Sequence, residues 1–337
     1  YADKENALHE AITAKASTAA IKALLAAYEA KSNEMARSIS TEMGAPIDMS
    51  IAEQASAGKS HLKAFLRALD SFEWSKPIRP GMEGQDLVHE AAGVAALITP
   101  WNWPLNQMCT KIASAIAAGT SFVLKPSEIT PGAAHILAQV IDETSLPKGI
   151  LNLIHGYGQT VGREMSSHPD LEMISFTGST RAGIDIQKKA SENIKRVSLE
   201  LGGKSPNIIM DDVDLEAAVN MGMKQCFFNT GQSCSSPTRM LVPENLLEEA
   251  TKYAVQASEA MVTGDPSKEE TFLGPISNKT QYEKILKLIE IGIKEGAKLV
   301  AGGVEKPEGC EKGYYVKPTG FADVTNDMRI AKEEIFG

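Results

Sequence analysis

The chain has 337 residues, 43% hydrophobic and 23% charged, with a net charge of −9, a composition that suits a globular protein with a sizeable core. An acidic balance, with a pI near 5.3, offers no positive field for nucleic acid or an anionic membrane surface, so neither is expected as a partner. Apolar runs such as AAGVAALITP fall short of the ~20 residues of a membrane span, and YADKENALHEAI has no basic stretch ahead of an apolar core, so a cytoplasmic location is expected.

Taken in chain order, the first ~70 residues are rich in Ala, Lys, Glu and Leu, and apolar positions recur at helical spacing in IKALLAAYEA and HLKAFLRALD. Gly44 followed by Pro46 should stop the first helical block. Between Trp74 and Glu90 the text turns to SKPIRPGMEGQDLVHE, whose Pro and Gly punctuation and alternating DLVHE predict an exposed hairpin. VAALI, SFVLK, ILNLI and MISFT are then short β-rich runs separated by helical CTKIASAIAAG and GAAHILAQVIDE. That rhythm predicts a doubly wound α/β domain with a parallel sheet.

From Gly202 a second alternation begins: NIIM, the helix DLEAAVNMGMKQCFF, the strand RMLVP, then helices LLEEATKYAVQASEAM and TQYEKILKLIEIGIKEG. A second α/β domain is therefore expected. Cys109, Cys226, Cys234 and Cys310 are scattered, with no CxxC pair and no His spacing that makes a zinc site. No metal is expected, and reduced, mostly buried thiols suit three of the four.

The fourth stands apart. Cys234 follows Asn229, Thr230, Gly231, Gln232 and Ser233 in FFNTGQSCSS, a glycine-containing turn between apolar segments, where a nucleophile would be presented. Glu200 in SLELGGKSPNI ends a strand-like run and offers a base, and Asn102 in ALITPWNWPL is an amide able to donate to an oxyanion. Alone, each has a plain structural role: a buried thiol, a surface carboxylate, a turn amide bonding its own backbone.

Together with KPSE (Lys125 to Glu128), FTGST (Phe176 to Thr180) and EEIFG (Glu333 to Gly337), these segments, in this order, resemble the aldehyde dehydrogenase family over nearly the whole chain. The resemblance implies residues 1–73 and 91–201 as a dinucleotide-binding domain, 74–90 as a hairpin pairing with another subunit, and 202–337 as a catalytic domain. Because the family pattern continues past EEIFG and the chain opens inside a helical region, a fragment is expected, with the C-terminal part of the catalytic domain outside it.

By the same resemblance Cys234 adds to an aldehyde, its own backbone N–H and the Asn102 amide hold the oxyanion, and Glu200 activates the water that cleaves the thioester. Lys111 is placed at the start of a helix, near the water path, in a supporting role. Glycine-bearing turns that open helices suit a dinucleotide phosphate. Gly158 and Gly162 in HGYGQTVG form GxGxxxG, a poor Rossmann match that is equally a plain turn. Gly178 and Ser179 open a helix at the pyrophosphate, and Phe176 lines the adjacent surface. Lys125, Ser127 and Glu128 approach the adenine ribose, where Glu128 would repel a 2′-phosphate and favour NAD over NADP. Ile98, Thr99, Trp101 and Leu201 join the coenzyme set, as do Gln281, Glu334 and Phe336, the last two at the nicotinamide ribose and ring.

Trp103, Gln107, Thr110, Ser233 and Ser235 should line the substrate path, a mixed and fairly polar set that admits a functionalised aldehyde as well as a simple aliphatic one. A homodimer or homotetramer is implied. Two other classes stay open: a thioester-forming hydrolase or acyltransferase on the same fold, and a non-catalytic structural or binding protein.

Overall fold

The structure, a computed structural model, describes residues 14–81 and 85–337. It divides into two compact units. The first comprises the chain up to Ser38 together with Ile51–Glu200; the second comprises Ile39–Ser50 and Leu201–Gly337.

In the first unit, helix α1 (Ala14–Met43) buries Ile21, Leu24, Tyr28 and Met35, residues whose spacing puts them on one stripe. The chain reaches helix α2 (Ala55–Leu69) through a π-helical stretch, Ser50–Gln54. Buried Tyr28 donates to the Ala55 carbonyl at 2.7 Å and ties α1 to the start of α2. Strands β1 (Ser75–Pro77) and β2 (Asp86–Val88) pair antiparallel and are exposed throughout. Phe72 packs edge-on against Trp74 at the base of this hairpin, with ring centroids 4.9 Å apart. Residues 82–84 of the expected hairpin lie outside the described residues.

The sheet follows: β3 (Val94–Ile98), helix α3 (Pro104–Ala117), β4 (Ser121–Lys125), helix α4 (Pro131–Asp142), β5 (Leu151–Leu153), helix α5 (Arg163–Ser167), β6 (Met173–Gly178), helix α6 (Thr180–Ser191) and β7 (Arg196–Leu201). Strand order is β5-β4-β3-β6-β7, and β3 runs parallel to both β4 and β6. The helices after β3 and β4 both begin on proline, Pro104 and Pro131, at a position where the missing N–H costs nothing. From β3 the chain winds one way to β4 and β5, then crosses back to β6 and β7. The carboxyl ends of β3 and β6 therefore flank a topological switch point, where open α/β sheets bind ligands. Leu97, Ile98, Phe122, Leu124 and Ile174 fill the core here, as expected for strands covered on both faces.

The second unit holds β8 (Pro206–Ile208), helix α7 (Leu215–Phe227), β9 (Arg239–Leu241), helix α8 (Leu247–Glu259), helix α9 (Lys279–Lys294), β10 (Lys298–Ala301), β11 (Gly320–Ala322) and helix α10 (Arg329–Lys332). Strands β8 and β9 are parallel, and β10 and β11 antiparallel. Asp214 and Asn278 cap α7 and α9, each accepting a backbone N–H with its side chain. Ile276, Ile285, Ile289 and Val316 form a core cluster against which Tyr282, Phe321 and Ile335 pack.

Residues 39–50 depart from the sequence reading, which left them in the first domain. Gly44 and Pro46 do end α1 at Met43, but beyond that point the backbone N–H of Ile47 donates to the Pro266 carbonyl at 2.8 Å. That bond, between residues far apart in sequence, draws the segment to the second unit. Among the described residues, no helix is long and apolar enough to cross a membrane.

Candidate active site

In the first unit the register of the sheet gathers three of the sequence-predicted coenzyme residues. Ile98 pairs with Lys125 on one side and with Phe176 on the other, so all three sit in one row at the strand ends flanking the switch point. Thr99 continues the row, its N–H donating to the Lys125 carbonyl at 3.1 Å. Its hydroxyl is buried with no hydrogen-bond partner, and a buried orphan hydroxyl calls for one.

The Lys125 ammonium is buried and donates to the Pro126 carbonyl at 3.0 Å and the Glu128 carboxylate at 3.5 Å. Burial lowers its pKa, while the Glu128 charge works the other way. A cation and an exposed carboxylate side by side present a donor and an acceptor, the set that two vicinal hydroxyls require. Ser127 is buried and accepts from the Ile129 N–H at 3.3 Å. Trp101, half-buried, offers its carbonyl to Thr130 at 3.5 Å.

Gly158 and Gly162 bound a π-helical turn that runs straight into α5. Gly158 has open space around it, and a Cβ on Gly162 would lie 4.0 Å from Lys125. Ser179 caps α6 by accepting from the Ala182 N–H at 3.3 Å. Phe176 corrects the sequence reading: its ring is buried and lies beneath Gly178, where a Cβ would meet it at 2.6 Å. It supports the turn rather than lining an open surface.

Lys111 is a second correction. It lies in the middle of α3 rather than at a helix start, and it is buried. Its ammonium donates to Ser175 Oγ at 2.8 Å. Desolvation lowers its pKa to about 8, and the opposing charge of Glu200 raises it, so the fold brings Lys111 and Glu200 within electrostatic reach. Glu200 itself is exposed near the end of β7. Asn102 is 4% exposed, and its carbonyl accepts from Gln54 Nε2 at 2.9 Å across 48 residues of sequence. Trp103, the N-cap residue of α3, and Gln107 and Thr110 within the helix are half-buried.

The second unit builds the thiol's setting. After α7 the backbone of Asn229, Thr230 and Gly231 turns left-handed, with φ of 57°, 56° and 70°, a costly conformation for asparagine and more so for β-branched threonine. Side chains hold it in place. Thr230 Oγ1 accepts from the Gly274 N–H at 3.1 Å, and Gln232 Oε1 from the Ser277 N–H at 3.0 Å. Asn229 Nδ2 donates to the Gln232 carbonyl at 3.2 Å. Cys234 follows, half-buried, on a turn closed by the Ser236 N–H and the Ser233 carbonyl at 3.1 Å. Ser235 is exposed. The other thiols differ. Burial raises the pKa of Cys109 and of Cys310, and pushes Cys226 up to about 11 against the pull of Lys204. High pKa values keep such thiols inert.

EEIFG meets this loop: a Cβ on Gly231 would come within 2.8 Å of the Gly337 backbone. Glu334 Oε1 accepts from the Gly203 N–H at 3.2 Å, and its carboxyl packs so closely on Gly202 that any side chain there would collide. Desolvation raises the Glu334 pKa, while the Gly203 bond, Lys284 and Lys204 lower it. Leu201 stands half-buried just ahead of this glycine pair. Gln281 Nε2 donates to the Ile335 and Phe336 carbonyls, each at 2.8 Å, which commits the amide nitrogen to protein. Gln54, Ser175, Thr230, Gln232 and Lys284 were not singled out in the sequence. Only Thr230 and Gln232 carried a signal, as part of FNTGQSC.

The aldehyde dehydrogenase family model matches residues 2–337. The chain belongs to the aldehyde dehydrogenase family. It is 46% identical over 312 residues to the 3-succinoylsemialdehyde-pyridine dehydrogenase of a Pseudomonas species, covering 92% of this chain and 65% of that protein. The matched stretch thus spans less than two thirds of that relative's length. The crystal structure of an aldehyde dehydrogenase from Bartonella henselae superposes with a TM-score of 0.95 at 48% identity, over 100% of this chain and 72% of that one. Aldehyde dehydrogenase C from Pseudomonas syringae, a cysteine-to-alanine variant in complex with NAD+ and octanal, gives a TM-score of 0.94 at 43% identity, over 99% of this chain and 69% of that one.

Proposed function

We propose that this family member oxidises an aldehyde to a carboxylic acid with NAD+, using Cys234 as nucleophile. The observation that carries the reading is the Cys234 loop, a strained left-handed turn held by Thr230 and Gln232 just ahead of the half-buried Cys234 thiol. Backbone strain maintained by dedicated hydrogen bonds is characteristic of positions that serve chemistry.

In this reading the Cys234 thiolate adds to the aldehyde carbon, which becomes tetrahedral and carries an oxyanion. The Cys234 backbone N–H and the Asn102 side-chain amide donate to that oxygen; losing such a donor costs on the order of a hundredfold in rate. Bound NAD+ would accept the hydride that the adduct expels. Glu200 then takes a proton from the water that cleaves the Cys234 thioester. Lys111 is buried within electrostatic reach of the Glu200 charge.

We assign residues 1–73, apart from the segment 39–50 that belongs to the second unit, and 91–201 to coenzyme binding, and 202–337 to catalysis. Ile98, Thr99, Trp101, Lys125, Ser127, Glu128, Gly158, Gly162, Gly178 and Ser179 serve the coenzyme from the first segment, with Leu201, Glu334 and Phe336. The switch-point row, the orphan Thr99 hydroxyl and the Lys125–Glu128 pair support a ribose and its phosphates there, and Glu128 favours NAD over NADP. The NAD+ and octanal of the Pseudomonas syringae complex support the coenzyme and the substrate class alike. Association into a dimer or tetramer through the hairpin is part of the reading, supported by the exposure of Leu87 and Val88 on β2.

The test is coenzyme reduction with a panel of aliphatic and functionalised aldehydes, followed by absorbance. Turnover is expected in the wild type and its complete loss in Cys234→Ala, with NAD+ still bound. Unaltered turnover in that variant would remove Cys234 from the chemistry. Ester hydrolysis without any NAD+ reduction would favour a hydrolase.

A further inference from the structure

The segment after α10 has no regular hydrogen-bonded structure from Glu334 to Gly337, yet its backbone carbonyls are satisfied one after another. Lys284 Nζ donates to the Glu334 carbonyl at 2.7 Å, and Gln281 Nε2 to those of Ile335 and Phe336, each at 2.8 Å. Gln281 and Lys284 stand three apart on α9 and so share a face. Two side chains thus hold three consecutive carbonyls. Resting on the coenzyme reading above, we propose that Gln281 and Lys284 are positioning residues, a clamp that fixes Glu334 and Phe336 in the one backbone path that serves the coenzyme.

That path needs holding. Phe336 has φ of 68°, a left-handed conformation rare for a bulky residue, which persists only where the surroundings over-determine it. Glu334 has a separate anchor, the Gly203 N–H, but that bond fixes the carboxylate and leaves the backbone beyond it free to relax. The platform beneath the clamp is rigid. Asn278 caps the first turn of α9, and Ile285 and Ile289 root the helix in the core cluster. On its other side the segment abuts the cysteine loop through Gly337 and Gly231. The two donors differ chemically. A lysine can be replaced by another long cation, whereas a glutamate at position 281 has no N–H and repels the carbonyls.

The experiment compares wild type with Lys284→Met, Lys284→Arg and Gln281→Glu by hydrogen exchange of peptides spanning residues 330–337 without coenzyme, by NAD+ affinity from tryptophan quenching, and by the KM values for NAD+ and aldehyde. Faster exchange is expected in Lys284→Met and Gln281→Glu. Their Kd and KM for NAD+ should rise about tenfold, the scale of one lost hydrogen bond, with the aldehyde KM unchanged. Lys284→Arg should stay within about twofold of wild type. Unchanged exchange in both disruptive variants overturns the clamp, and so does unchanged NAD+ affinity in the face of faster exchange. Equal defects in Lys284→Arg and Lys284→Met overturn it as well. A wild type that reduces no NAD+ with any aldehyde would instead defeat the functional reading, while the exchange data still decide whether the clamp exists.

Discussion

Gln232 and Ser277 are joined by a hydrogen bond, the side-chain oxygen of the first accepting the backbone N–H of the second at 3.0 Å. Gln232 is almost completely buried and stands two residues before Cys234, so this bond anchors the nucleophile's loop to a segment 45 residues away. Removing it leaves a backbone N–H without its acceptor, at a cost of about 1–3 kcal/mol. Gln232→Ala should lower Tm and slow aldehyde turnover, with a changed rate of Cys234 alkylation by iodoacetamide. An unchanged alkylation rate would mean that the loop keeps its shape without Gln232.

Replacing Glu200 by glutamine tests deacylation. The exposed carboxylate at the end of β7 is the proposed base for the hydrolytic water, and an amide cannot take that proton. Glu200→Gln should give a burst of NADH followed by turnover slowed at least a hundredfold, read by rapid-mixing absorbance. Wild-type decay of the acyl intermediate would assign the base elsewhere.

Coenzyme preference should depend on Glu128. Its carboxylate lies 3.5 Å from the Lys125 ammonium, and a 2′-phosphate beside it would meet like charge. The wild type should have the higher kcat/KM with NAD+, and Glu128→Gln should narrow the gap to NADP+ by about tenfold or more. A wild type that prefers NADP+ contradicts the assignment.

The buried lysine of α3 predicts a pH dependence. Lys111 has a folded pKa of about 8 against an ordinary value of 10.5. Between those values the unfolded chain holds a proton that the folded chain has released, so stability rises with pH across that window and is lowest below it. The rise is a few kcal/mol at most. Denaturant unfolding of wild type and Lys111→Met at pH 7 to 10 should show the wild type gaining relative to the variant as pH rises. A flat difference would place the lysine's titration outside this range. Because the Glu200 charge raises the Lys111 pKa, Glu200→Gln should start the gain at lower pH.

The alternation of β3 to β6 with their helices, the hairpin and the motifs FNTGQSC, LELGGK and EEIFG could be read from the sequence, because periodicity, Gly and Pro punctuation and motif spacing are local. What those residues touch could not be read locally. Lys111 in CTKIASAIAAG looks like a solvated lysine, and only the packing of α3 against the sheet takes it out of water and gives it Ser175. The pairing of Ile98 with Lys125 and Phe176 is a matter of strand register, which no single segment encodes. Gln281, matched to the coenzyme by its motif, donates to two carbonyls 54 and 55 residues further on, and the segment after α1 is bonded to Pro266. The sequence thus determined the family and the strand–helix rhythm of the parallel sheet, and it nominated the residues proposed to carry the chemistry. The tertiary structure decided burial, register and the assignment of each hydrogen-bond donor, because those depend on which distant backbone atoms the fold leaves in want of a partner.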